Sequence, residues 1–167
     1  MKLTSAEANK LLRKLNDDHD ALKRMEAESR IFVAATTENL EDARPDYDYE
    51  ATQRSLAALE IRIRKLKHTI NLFNVSQTID ESGMTIDQAL IAIPQLSDRK
   101  RKLSVMRAAQ KKKRNESIRS TNLIEYTYAN YDVEKAEQDY QATIAELGRI
   151  QNALDLVNST VQFEIDD

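Results

Sequence analysis

The chain has 167 residues, 41% hydrophobic and 32% charged, with only two Gly and two Pro, a mixture that favours long helices and disfavours wholesale disorder, a sandwich or a barrel. The absence of cysteine excludes disulfides, Fe–S clusters, thiolate metal sites and cysteine nucleophiles. The net charge of −3 is close to neutral but unevenly placed: residues 99–119 hold ten Lys/Arg against one Glu, and residues 38–50 hold six Asp/Glu against one Arg.

In chain order, Thr4-x-x-Glu7 is a capping box and opens a helix expected over about residues 5–35. Its apolar stripe is Ala8, Leu11, Leu15, Leu22, Met25 and Phe32, interrupted by the polar Asp18 and Ser29. Residues 36–47 read as an acidic loop, since Pro45 disfavours helix at Arg44. The second helix, about 49–73, carries the strongest pattern in the chain. Leu56, Leu59, Ile63, Leu66, Ile70 and Phe73 recur at helical steps, with Arg62, Arg64, Lys65 and Lys67 turned away.

Asn74 is expected to end that helix, and Val75–Ile79 to form a short strand. Gly83 supplies a turn, and Thr85-x-x-Gln88 caps a third helix over about 86–113, kinked at Pro94. Its stripe is Ile86, Leu90, Ile93, Leu96, Leu103 and Met106. Residues 114–122 read as a polar loop and 123–128 as a strand; Asp132 can cap a fourth helix over about 133–158. That helix has Val133, Ala136, Tyr140, Leu147, Ile150, Leu154 and Val157 on its stripe, with Thr143 as a polar break. A third strand is expected at 160–165. Residues 70–79 echo residues 154–163, each passing a helix-ending Asn before a β-prone run, which suggests that the two following strands meet.

The expected fold is therefore mainly α: a single domain of four long helices in antiparallel hairpins, a four-helix bundle or coiled-coil-like assembly with a minor β element.

The order of motifs adds a resemblance. A seam ending in Ile70-Asn-x-x-Asn74 is followed by Thr78-x-Asp-x-Ser-Gly-Met-Thr85, a basic third helix, IEYTYANYD at 124–132 and LDLVNSTVQFEI at 154–165. This resembles a bacterial family of small helical proteins of unknown function, some of whose members are labelled septicolysin. The resemblance spans roughly residues 63–165. It implies a helical protein with short strands and supplies no functional residue. The label would imply a cytolysin, yet no apolar leader follows Met1, no run approaches the ~20 apolar residues of a membrane span, and the expected compartment is the cytoplasm.

Catalytic and metal chemistry find little footing. His19 lies among Asp17, Asp18 and Asp20, but no Glu-x-x-His motif of bundle metal sites occurs, and His68 falls off the seam. No nucleophile elbow or phosphate-cradling glycine loop exists, and adjacent carboxylates such as Asp17/Asp18 point apart on a helix. No enzyme activity and no cofactor is expected.

Two surfaces remain. Arg99, Lys102, Arg107, Lys111, Lys112, Lys113 and Arg114 could share the outer face of a continuous third helix and meet nucleic acid or another anion. The alternatives are anionic lipid, a solvated helix end and pairing with the acidic 38–50 segment. No aromatic residue interleaves the tract in sequence, which argues against single-strand stacking. The seam of Leu56, Leu59, Ile63, Leu66, Ile70 and Phe73, broadened by Ile61 and Leu72, suits bundle packing and self-association into a dimer or larger homo-oligomer.

Overall fold

The computed structural model describes residues 1–115 and 124–165. Among these the elements are β1 (Lys2–Thr4), α1 (Ser5–Ser29), α2 (Leu40–Ala43), α3 (Tyr49–Ser76), α4 (Ile86–Arg107), β2 (Lys112–Arg114), β3 (Tyr126–Tyr128), α5 (Val133–Thr160) and β4 (Gln162–Glu164). The protein is mainly helical, with two small antiparallel strand pairs, β1–β4 and β2–β3. The chain divides into two compact units: Met1–Ser76 with Val157–Asp167, and Gln77–Leu156.

The first unit is built on α1 and α3. Thr4 Oγ1 accepts from the Glu7 N–H at 3.3 Å and Glu7 Oε2 accepts from the Thr4 N–H at 2.9 Å, so the expected capping box forms. The helices run antiparallel. His19 Nε2 lies 3.4 Å from Glu60, and seven residues on along α1 and seven back along α3, Gln53 Nε2 donates to Glu26 at 2.5 Å. Ala8 and Leu15 of α1, Leu66 and Ile70 of α3 and Ile165 make the buried cluster, with Leu3, Leu11, Leu12, Leu59, Ile63 and Phe163 packed against it.

Helix α1 ends at Ser29 and not near residue 35, because its apolar face lapses: Ile31 and Val33 are exposed and bury nothing that would repay a further turn. Asp18 is exposed, so it does not interrupt the buried face. Within the expected loop, Asn39 Oδ1 accepts from the Glu41 N–H at 3.1 Å and starts the single turn of α2, which stops before Pro45. Helix α3 does not end at Asn74. It runs on to Ser76, whose hydroxyl is shared between the Leu72 carbonyl at 2.8 Å and the terminal Phe73 carbonyl at 3.2 Å.

The expected strand at 75–79 is consequently absent, and β4 pairs with β1, a three-residue strand too short for a sequence pattern. The register sets Leu3 opposite Phe163, and Met1 and Ile165 exchange two backbone bonds of 2.8 Å. The Phe163 ring stacks on Phe73, with centroids 4.3 Å apart.

In the second unit, Gly83 adopts φ +77°, a left-handed turn position open to glycine, between the bridged Thr78 and Thr85. Thr85 and Gln88 form the second capping box. Helix α4 passes through Pro94 without ending, and Leu90, whose carbonyl loses its N–H partner there, is half-exposed, where water can replace it. Ile86 and Ile150 are the largest fully buried side chains. Thr143, also buried, donates to its own helix at the Asp139 carbonyl, 2.7 Å away, and needs no partner from another helix. The ion pair between Arg149 and Asp80 ties the glycine turn to α5.

Phe163→Ala removes the stacked ring and half of the Leu3 pairing. It should destabilise the first unit by ~2–3 kcal/mol, below the ~3–5 of a fully buried phenylalanine. Urea unfolding followed by circular dichroism measures this; an unchanged midpoint would contradict the role given to β4.

Candidate functional site

The basic tract is divided by the fold. Helix α4 ends at Arg107 and not near residue 113, since past Met106 only the small Ala109 continues the stripe and the Lys111–Lys113 run that follows is polar. The Tyr131 hydroxyl donates to the Met106 carbonyl at 2.8 Å and closes the helix end. The later cations therefore do not share a helical face with Arg99 and Lys102. They form β2, paired with β3 in the register Lys112–Tyr128, Lys113–Thr127, Arg114–Tyr126. Leu123, the start of the expected strand at 123–128, and Arg119 lie outside the described residues.

Two of the seven predicted cations are structural. Arg107 donates to both oxygens of Glu137 at 3.0 and 3.2 Å, and its guanidinium lies 3.9 Å from the Tyr140 ring centroid. Lys111 Nζ lies 2.5 Å from Glu134. These pairs staple the base of the ribbon to α5, which matters because an isolated two-stranded ribbon is at best marginally stable. The Glu134 hydrogen bond holds the Lys111 ammonium above its ordinary pKa, and Lys111 in turn holds the Glu134 carboxyl below its own. The Gln141 amide, then Arg107, do the same to Glu137.

The other five, Arg99, Lys102, Lys112, Lys113 and Arg114, are exposed and have no ion pair among the described residues. Strand alternation places Lys112, Arg114, Tyr126 and Tyr128 on one face of the ribbon. Lys112 Nζ sits 4.1 Å from the Tyr126 centroid and 5.6 Å from that of Tyr128. The two rings are 6.4 Å apart and both exposed, at 43% and 61%. Aromatic residues thus interleave the tract in space, where sequence order suggested none.

The seam residues are engaged within the first unit. Leu66 and Ile70 belong to the buried cluster, Leu59 and Ile63 pack on it, and Leu56 and Phe73 are buried. Ile61 and Leu72 do not broaden that seam. With 100° per residue they fall on the opposite side of α3, in line with His68 and Val75, and Ile61, Leu72 and Val75 are 49–54% exposed. Helix α3 therefore carries two apolar stripes, one covered and one open.

His19 is half-buried beside Glu60, and among the described residues no group of three or more His, Cys, Asp or Glu is placed to hold a metal ion. The acidic segment is engaged locally: Glu38 caps the Ala35 N–H, Glu41 pairs with Arg44, Asp48 caps the Ala51 N–H and Glu50 pairs with Arg54. Two buried amide oxygens, of Asn74 and Asn158, lack hydrogen-bond partners among the described residues; these are the echoed asparagines near the ends of α3 and α5. No signal in the sequence marked Tyr131, Glu134 or Glu137 as the groups that position the ribbon.

The arrangement defines a mainly helical protein carrying short strand pairs and one basic–aromatic ribbon. A solved structure from Corynebacterium diphtheriae, of a functionally unknown conserved protein, is similar to it with a TM-score of 0.59 and 16% identity, over 98% of this chain and 100% of that one. At that identity the likeness shows the fold alone. No family model matches the chain, and no curated protein does. Among the described residues no helix is long and apolar enough to cross a membrane.

The depressed carboxyls of Glu134 and Glu137 contribute stability that is complete above the ordinary carboxylate value of ~4.3 and is lost as pH falls through their lower folded values. Acid unfolding followed by circular dichroism should therefore have a clear acid limb in the wild type that is weakened in E134Q/E137Q. Identical titrations would contradict the staple.

Proposed function

We propose that the protein is a non-enzymatic, cytoplasmic helical protein that self-associates and works by presenting surfaces, with the open stripe of α3 as the contact between two copies. The observation that carries this reading is the second apolar stripe of Ile61, Leu72 and Val75, opposite the covered one. Charge placement supports an antiparallel pairing about His68. Residues 60–67 hold four Lys/Arg and one Glu, whereas residues 69–76 hold no charge. A two-fold axis at His68 sets the basic half of one helix on the neutral half of the other. A parallel pair would place Arg64 and Lys65 on their own counterparts and repel. In this reading the coiled-coil-like pairing belongs to α3 with its copy, and a bundle of helices is completed between chains. The cysteine-free composition is compatible with a reducing compartment.

A second reading, nucleic-acid binding, is favoured by five exposed cations without an ion pair among the described residues and by the tyrosines that the fold brings to Lys112. A septicolysin-like, membrane-active role rests on the family label alone.

Light scattering after size exclusion tests the first reading. The wild type should show a dimeric or larger mass that is insensitive to salt, and I61D/L72D, altered only on the open stripe, should be a folded monomer. A wild type that is monomeric at high protein concentration would overturn the reading.

A further inference from the structure

We infer that the ribbon face of Lys112, Arg114, Tyr126 and Tyr128 is a binding site for single-stranded nucleic acid, in which bases stack on the two tyrosines and the cations hold the backbone; this deepens the nucleic-acid reading and rests on it.

All six residues of β2 and β3 are exposed, so neither face of this strand pair is covered by core. The two tyrosines on this ribbon stay 43% and 61% exposed. The ribbon is held from its base instead, by Arg107–Glu137, Lys111–Glu134 and the Tyr131 hydroxyl on Met106. The fold thus invests its ion pairs in presenting the ribbon, and leaves Lys112, Lys113 and Arg114 without acidic partners among the described residues.

The chemistry selects the occupant. Two cations on one face, Lys112 and Arg114, match a polyanion, and adjacent exposed rings match planar groups repeated along it. The ring centroids stand 6.4 Å apart and the planes are tilted by 52°, so the tyrosines do not stack on each other and each offers its own face. That separation is near the step between successive nucleotides of an extended strand. Duplex bases have their faces already stacked and cannot use the rings, which separates this site from a duplex-binding one. In the free protein the Lys112 ammonium lies over Tyr126 at 4.1 Å and holds the ring in place by a cation–π contact. A base can replace the ammonium on the ring, and the ammonium then turns to the adjoining phosphate.

The test uses the full chain and fluorescence anisotropy of a labelled oligothymidine of ~16 nucleotides, long enough to span such a ribbon. A mixed-sequence duplex of the same length and anionic phosphatidylglycerol vesicles serve as the other probes. Oligothymidine should bind more tightly than duplex. Its affinity should fall with salt at a log–log slope of about −1.4, as expected when the two cations of this face, Lys112 and Arg114, meet phosphates of a single strand. Y126T/Y128T, which keeps β-branched strand formers, should bind at least ~10-fold more weakly. Y126F/Y128F, which keeps the rings, should stay within ~2-fold of wild type and so distinguishes lost stacking from a lost ribbon. Equal binding of duplex and oligothymidine, unaffected by Y126T/Y128T, would overturn the stacking site and leave the nucleic-acid reading standing. Binding of neither nucleic acid, or of vesicles alone, would overturn both.

Discussion

The packing of α3 on α1 is the constraint from which the rest of the first unit follows. Leu66 and Ile70 meet Ala8, Leu15 and Ile165, and Leu3, Leu11, Leu12, Leu59, Ile63 and Phe163 pack against this contact. The β1–β4 pair lays Leu3 and Phe163 over it, and the Phe73–Phe163 stack joins the strand pair to the helix end. Towards the other end of the hairpin the apolar stripe gives way to polar rungs, His19 with Glu60 and Glu26 with Gln53 and Tyr47. Loss of water around the Tyr47 hydroxyl, and its bond to Glu26, raise its pKa, so it stays a donor throughout the physiological range. One side of α3 is thereby fully committed, which gives its second, open stripe its functional interest.

The second unit applies the same economy to charge. Arg107 and Lys111 belong to a run that reads as one basic surface, yet the fold uses them to fix a strand pair to α5. Arg99, Lys102, Lys112, Lys113 and Arg114 have no ion pair among the described residues. A charge run in a sequence is thus two populations, and the acidic residues of α5 decide which cation belongs to which.

The long helices were legible because their periodicity and their two capping boxes are local, and both boxes form with the residues expected, Thr4 with Glu7 and Thr85 with Gln88. What was not legible depends on partners distant in sequence. Lys112–Arg114 has poor strand propensity and becomes a strand only because Tyr126–Tyr128 lies beside it. Lys2–Thr4 likewise depends on Gln162–Glu164. The same holds for the sites: seam and basic tract were visible as residue lists, but which side of α3 is covered, and that tyrosines stand among the lysines, are tertiary facts. Asn74 as a helix stop failed for a local reason, the capping hydroxyl of Ser76 two residues on.

In the proposed assembly the open stripe of α3 meets its own copy antiparallel about His68. The chain contains no cysteine, so Lys65→Cys, at the flank of that stripe, gives one nitroxide label per copy and any dipolar coupling between labels must be intermolecular. The labels in such a pair should give a single short distance that disappears when labelled protein is diluted with unlabelled protein. Absence of coupling at every protein concentration, with the labelled chain folded, would contradict it.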